Sequence, residues 1–437
     1  MSALHIRELR LRNYRSFRDA RLPLSDLTFL VGRNASGKSS LLDALDFIRE
    51  ALTDSLPIAI ERRGGMEGLR HRLAADDELV EVAVVLSLVL DVDEKGGFVS
   101  TPHNTMHIGL DRLPTCSVVY GFSLDRQGMV GLETLRSEDD RLPGYLRSAA
   151  GLVPVAGTER WEPSVPMDVL LLPLLGGQGA GEGARAVSVQ GSGWQSFYPG
   201  LVRGSLASFR SVRPRSSAII DGRELGAGDV LAPDGRNLAD IVHQMREREP
   251  KLLSAVLVGL QAVTPGIESI DTVTLAGRRH LQFHQRLGSR VAVFQVSAMS
   301  EGTLRALALL CSFHQPRSAS LIAVDEVEDA LHVGALFAIV EQALAVTEEP
   351  HSGGQTVSTQ VLLTTHSTEV LSLPMATGER IRILENRDGA SWIFALSPDV
   401  MADLQPPETV GRLLRINALW PDEEPLVNGP DLFALPA

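Results

Sequence analysis

The sequence predicts an α/β fold with a mixed sheet core, an antiparallel β subdomain and an α-helical/β insertion. Three patterns carry that expectation. Residues 27–31, Leu-Thr-Phe-Leu-Val, read as a buried strand entering a glycine loop, after which Leu41, Leu42, Leu45 and Ile48 recur at helical spacing. Near the other end, apolar strands at 321–324 and 360–365 flank a helix at about 332–346, an alternation that builds a parallel sheet with functional groups at its carboxyl edge. The first 30 residues and the stretch 79–126 instead alternate apolar with polar side chains, as antiparallel strands do.

The loop between the first buried strand and its helix reads Gly32-Arg33-Asn34-Ala35-Ser36-Gly37-Lys38-Ser39. Strand, glycine loop and helix in that order form a phosphate-binding loop, whose glycines let backbone N–H groups wrap the phosphates. Lys38 is one of three lysines in a chain whose Lys and Arg total 41. Arginine has replaced lysine almost everywhere except where a compact ammonium must reach the β/γ oxygens. Gly32, Asn34, Ala35, Ser36, Gly37, Lys38, Ser39 and Ser40 are therefore the candidate ATP contacts, with the Ser39 hydroxyl also a Mg²⁺ ligand.

Bulk properties narrow the classes. A chain of 437 residues with 44% hydrophobic content has ample core for one large domain or two. The net charge of −13 argues against bulk attraction to nucleic acid and leaves room only for a local basic groove. Cys116 and Cys311 lie far apart, with no zinc or disulfide spacing, and read as reduced thiols of a cytoplasmic protein. No secretory leader is apparent at the start and the apolar runs are strand-length, so no membrane association is expected.

Along the chain, two antiparallel strands precede the glycine loop, and their outward faces carry Arg7, Arg10, Arg12, Arg15, Arg18 and Arg21. Such a run ordinarily lies on a solvated sheet face. Residues 150–200 are rich in Gly, Pro and Ser, and the Gly-rich run at 176–183 reads as a mobile surface loop. A helix with Leu238, Ile241, Val242 and Met245 on one face follows, then a second starting at Pro250, then strands near 267–275, 280–285 and 290–296. The expected units are 1–126, an insertion at 127–265, 266–400, and a C-terminal helix and tail at 401–437; the acidic stretch ending at Glu424 reads as solvated.

The second half repeats the theme of chemistry at strand ends. The strand at 321–324 runs into Asp325-Glu326, beside a P-loop a pair suited to holding Mg²⁺ (Asp325) and activating water (Glu326). His366 follows Thr364-Thr365 at a strand terminus, within reach of a γ-phosphate. Ser300-Glu301-Gly302-Thr303 opens a helix whose free N–H groups and serine hydroxyl suit an anion.

These four ordered motifs resemble the ABC-type ATPase heads of the RecF, SMC and OLD group, AAA-family ATPases with a P-loop NTPase fold. The likeness covers about 1–50 and 290–372. It extends to Asn13-Tyr14-Arg15-Ser16-Phe17, which implies that Arg15 sits by the nucleotide. The resemblance further implies a head-to-head homodimer holding two ATP molecules, each P-loop facing Ser300 and Gly302 of the other copy, with Glu326 and His366 catalytic. Two departures stand out. Asp325-Glu326-Val327-Glu328-Asp329-Ala330-Leu331-His332-Val333 lacks the family's two prolines, and no Q-loop glutamine is found where it is expected, at 62–72. The 70 or so residues after His366 are short for the Toprim domain of OLD nucleases. A separate effector, Toprim or HNH nuclease-like, is the implied partner, in anti-phage or toxin–antitoxin-like systems. The alternative is a nucleotide-locked clamp on DNA or protein in a RecF-like repair role, with DNA bound through arginines of 7–21 or 62–72.

Overall fold

The computed structural model describes residues 3–89, 98–101, 104–107, 116–138, 144–149, 151–155, 170–175, 194–222, 228–315, 319–348, 359–367, 369–396 and 424–435. Its centre is a six-stranded sheet in the order Arg210–Val212, Leu321–Val324, Gln360–Thr365, Leu27–Gly32, Ile381–Arg387, Ala390–Ala395. The first five strands run parallel, and Ala390–Ala395 turns back antiparallel. All residues of Leu27–Gly32 and of Gln360–Thr365 are buried, as expected where both sheet faces are covered.

One face carries the helices Leu238–Arg248, Pro250–Val263, Glu301–His314 and Val333–Glu348, packed into a single core with Leu27, Phe29 and Val31. The other face, through Leu30, meets the helix Lys38–Thr53. That helix lies beneath a second, antiparallel sheet of seven strands ordered Gly151–Val155, Gly144–Ser148, Val130–Ser137, Cys116–Leu124, Val80–Val89, Ala3–Tyr14, Phe17–Pro23. The chain is thus a mixed α/β P-loop NTPase fold with an antiparallel β subdomain on one side.

A third sheet, Ile267–Leu275, Arg278–Leu287 and Arg290–Gln295, leads into the helix Glu301–His314. Ala276 and Gly277, at φ 49° and 75°, form its first turn; two consecutive left-handed residues match the twist of the flanking strands.

The strands Val130–Ser137, Gly144–Ser148 and Gly151–Val155 complete the N-terminal sheet. Arg210–Val212 and the helices Leu238–Arg248 and Pro250–Val263 join the central core. Glu424, the end of the acidic stretch, is exposed, and beyond it the chain docks on the N-terminal sheet: Leu432 and Phe433 are buried against Ala83, Val85 and Val119. The Arg21 N–H donates to Leu426 O, and the Asn428 amide donates to Asp19 and to the Leu11 and Ala20 carbonyls. Arg10, expected on a solvated face, is buried and donates to the Leu432 and Ala434 carbonyls. The loop at 176–183 and the expected helix within 401–423 lie outside the described residues.

Candidate functional site

The glycine loop crosses the carboxyl end of the central strand Leu27–Gly32 and delivers the helix Lys38–Thr53. Ala35 and Gly37 take left-handed conformations, φ 64° and 108°. A Cβ on Gly37 would lie 2.4 Å from the Ser391 hydroxyl and 3.0 Å from that of Ser16. Only glycine fits there. The loop is clasped between the Asn13–Ser16 turn and the last strand of the sheet, joined by Ser391 N–H donating to Ser16 O at 2.7 Å.

Lys38 is buried, and its ammonium donates to the Gly32 and Arg33 carbonyls at 2.6 and 3.0 Å. Burial lowers its pKa, and the nearby carboxylates of Glu326, Glu328 and Asp325 pull it back up. The loop therefore faces the acidic strand end. Ser36 Oγ is buried with no hydrogen-bond partner, as are the Ser16 and Ser391 hydroxyls beside Gly37. Arg33, Asn34, Ala35 and Ser39 are exposed, while Ser40 is half-buried. Orphaned hydroxyls, an ammonium turned onto its own loop and a cradle that excludes any Cβ fit a polyphosphate.

Arg15 takes a left-handed conformation, φ 46°, with Nε 2.8 Å from Asp43 on the P-loop helix. Tyr14 OH donates to the same carboxylate at 2.5 Å, and Arg63 Nε reaches it at 3.0 Å. The region 62–72 thus braces the P-loop helix: Arg63 also pairs with Glu50 at 2.9 Å, and Arg62 with Asp54 at 2.5 Å.

Across the sheet, Leu321–Val324 ends in Asp325 and Glu326. Thr364, on the neighbouring strand, donates its hydroxyl to Asp325 Oδ1 and accepts the Glu326 N–H, both at 2.8 Å. Glu326 is left-handed, φ 51°, a strained setting of the sort that collects at functional sites. Glu328 Oε1 accepts the His366 N–H at 2.8 Å and lies 2.9 Å from His366 Nδ1, while its Oε2 is buried without a partner. The His366 ring is 52% exposed and free to meet a ligand on its outer side.

Ser300 caps the helix Glu301–His314, its Oγ accepting from Thr303 N–H at 3.2 Å. It is exposed, and among the described residues no hydrogen bond joins it to the Gly32–Ser39 loop. Gly302 has a local steric reason to be glycine: a Cβ there would lie 2.5 Å from Ala330 O, in the turn after Glu326. Arg213 carries no signature in the sequence. This arginine follows the edge strand Arg210–Val212 and reaches both carboxylates, 3.2 Å to Asp325 and 2.6 Å to Glu326. Nothing in the pattern marked it among so many arginines. Thr364, by contrast, was visible inside the Thr-Thr-His motif but carried no assigned role.

Residues 208–372 match the family model described as "AAA domain, putative AbiEii toxin, Type IV TA system", and residues 5–84 match "AAA ATPase domain". The chain carries AAA-family ATPase domains. The P-loop lies in the segment that matches the second model and the acidic strand end in the segment that matches the first. Among solved structures, an SMC head bound to the C-terminal winged-helix domain of ScpA is 15% identical, covering 91% of this chain and 99% of that one, with a TM-score of 0.47. An SMC head with an extended coiled coil, bound to the C-terminal domain of ScpA and derived from Pyrococcus furiosus, is 15% identical, covering 95% and 100%, at 0.45. The SMC head domain from Thermotoga maritima is 14% identical, covering 90% and 99%, at 0.37. A search of curated proteins finds no match. Among the described residues no helix is long and apolar enough to cross a membrane.

Proposed function

We propose that this AAA-family chain is a Mg²⁺-dependent ATPase that closes head to head as a homodimer around ATP and so controls a separate effector in anti-phage defence. The observation that carries the reading is that Lys38 and the carboxylates of Asp325, Glu326 and Glu328 face one another at the carboxyl ends of parallel strands of one sheet, Leu27–Gly32 and Leu321–Val324, separated only by Gln360–Thr365. ATP would be held by Arg15, Gly32, Asn34, Ala35, Ser36, Gly37, Lys38, Ser39 and Ser40. Mg²⁺, held by Ser39 and Asp325, would supply charge neutralisation at the β/γ oxygens. Glu326 then orients or deprotonates the attacking water, and His366, braced by Glu328, faces the γ-phosphate.

Homodimerisation is supported by the exposure of Ser300 and the helix start behind it, an anion site whose ligand would come from a second copy. A separate effector, Toprim or HNH nuclease-like, is what the resemblance implies, and a two-component arrangement accords with the toxin–antitoxin family matched at 208–372. The alternative, a nucleotide-locked clamp on DNA or protein, would use arginines of 7–21 or 62–72; of these Arg63 is nearly buried and paired with Asp43 and Glu50, whereas Arg7, Arg62 and Arg72 are exposed.

The test is Glu326→Gln examined by light scattering with Mg²⁺ and ATP. A stable dimer with hydrolysis reduced about 10²–10⁴-fold is expected. A variant that binds ATP yet stays monomeric sinks the dimer.

A further inference from the structure

We propose that Arg213 is a positioning residue that serves as a built-in counter-cation: its guanidinium holds the Asp325–Glu326 pair in the nucleotide-free head and competes with a divalent cation for Asp325. The proposal rests on the metal-binding reading of Asp325 given above.

The geometry makes the competition direct. Asp325 has two oxygens to offer, and Oδ1 already accepts the Thr364 hydroxyl at 2.8 Å. The other, Oδ2, lies 3.2 Å from Arg213 Nη1, while Nη2 donates to Glu326 Oε2 at 2.6 Å. One planar guanidinium thus spans both carboxylates, a geometry that a lysine's point charge cannot copy. The Arg213 backbone is fixed: its N–H donates to Pro233 O at 2.7 Å, and Asp325 N–H donates to Val212 O at 3.1 Å, so both residues leave adjacent strands in register.

The side chain is not fixed in the same way. It is 56% exposed, so it can swing into water at little cost, whereas the neighbouring Arg305 is 3% exposed and bound to three carbonyls. Outward movement of Arg213 vacates Oδ2. In the same movement it releases Glu326, leaving that carboxylate free for water.

Direct titration of Mn²⁺ into the nucleotide-free full chain, followed by electron paramagnetic resonance, tests this without relying on turnover. R213A should bind Mn²⁺ about five- to tenfold more tightly than the parent, the scale of one or two exposed ion pairs. R213Q, which keeps the stem and loses the charge, should show the same gain. Unchanged or weaker Mn²⁺ binding by R213A overturns the proposal, and so does a gain in R213A that R213Q lacks, since removal of bulk would then be the cause. D325N separates the two layers of the argument. If it abolishes Mn²⁺ binding while R213A leaves the affinity unchanged, the metal site stands and only the role of Arg213 fails; if D325N binds Mn²⁺ normally, the metal site itself is misassigned.

Discussion

The Arg305 guanidinium donates to the main-chain oxygen of Glu326 across 2.6 Å, and to that of Asp325 at 3.0 Å. Glu326 sits in a left-handed conformation that costs about 1–3 kcal/mol for a residue with a side chain. The buried arginine of the Ser300 helix offsets that cost by fixing the carbonyl on the far side of the strained residue. The Ser300 helix and Glu326 are therefore tied into one unit.

Arg305→Ala is expected to lower stability by about 3 kcal/mol or more, because it leaves three carbonyls without their charged donor. Urea unfolding measures the loss. In the fraction that remains folded, ATP hydrolysis should fall further than ATP affinity, since Glu326 is misaimed while the P-loop is untouched.

Lys38→Ala removes the ammonium that now rests on the Gly32 and Arg33 carbonyls. ATP affinity should drop by a factor of about ten or more, the scale of a lost charge-assisted contact. Calorimetric titration decides the matter; parental affinity in this variant would falsify the assignment of the loop.

Gly302→Ala places a methyl 2.5 Å from the Ala330 carbonyl, a backbone atom that cannot rotate away. Overpacking of this kind costs about 1–3 kcal/mol. The melting temperature should fall, and ATP-dependent dimerisation should weaken along with it as Ser300 is displaced. A variant with the parental melting temperature would show that the turn after Glu326 yields freely.

Phe433→Ala tests the docked C-terminal segment. Phe433 is 4% exposed and packs on Ala83, Val85 and Val119. Truncation should cost about 3 kcal/mol in thermal unfolding. A solvated tail would give no change.

The elements around the site were legible because each apolar run stops at its chemistry: Leu27–Gly32 at the glycine loop, Leu321–Val324 at Asp325, Gln360–Thr365 at His366. What was hidden depends on distant partners. Arg10 alternates with apolar neighbours and so looked solvent-facing, until the Leu432 and Ala434 carbonyls arrive to cover it. Val130–Ser137 was passed over because a carboxylate interrupts its apolar pattern. Glu133 is fully buried there, accepting from Tyr120, Tyr145, Arg147 and the Leu171 and Leu172 N–H groups. A polar residue so completely satisfied is indistinguishable from a surface one in a linear string. Arg213 had no local signature at all, since its meaning comes from strand Arg210–Val212 lying beside Leu321–Val324.

The strand that opens the P-loop is hydrogen-bonded on one side to Gln360–Thr365 and on the other to Ile381–Arg387. During synthesis it leaves the ribosome with both backbone edges unpaired and waits for most of the remaining chain before either is covered. Long-range parallel pairing of this kind is slow and prone to sticking to other chains. A nascent copy truncated ahead of residue 360 would have the motif for gripping a triphosphate but no neighbours to hold it in shape, and chaperone dependence in cells would be the outward sign of that delay.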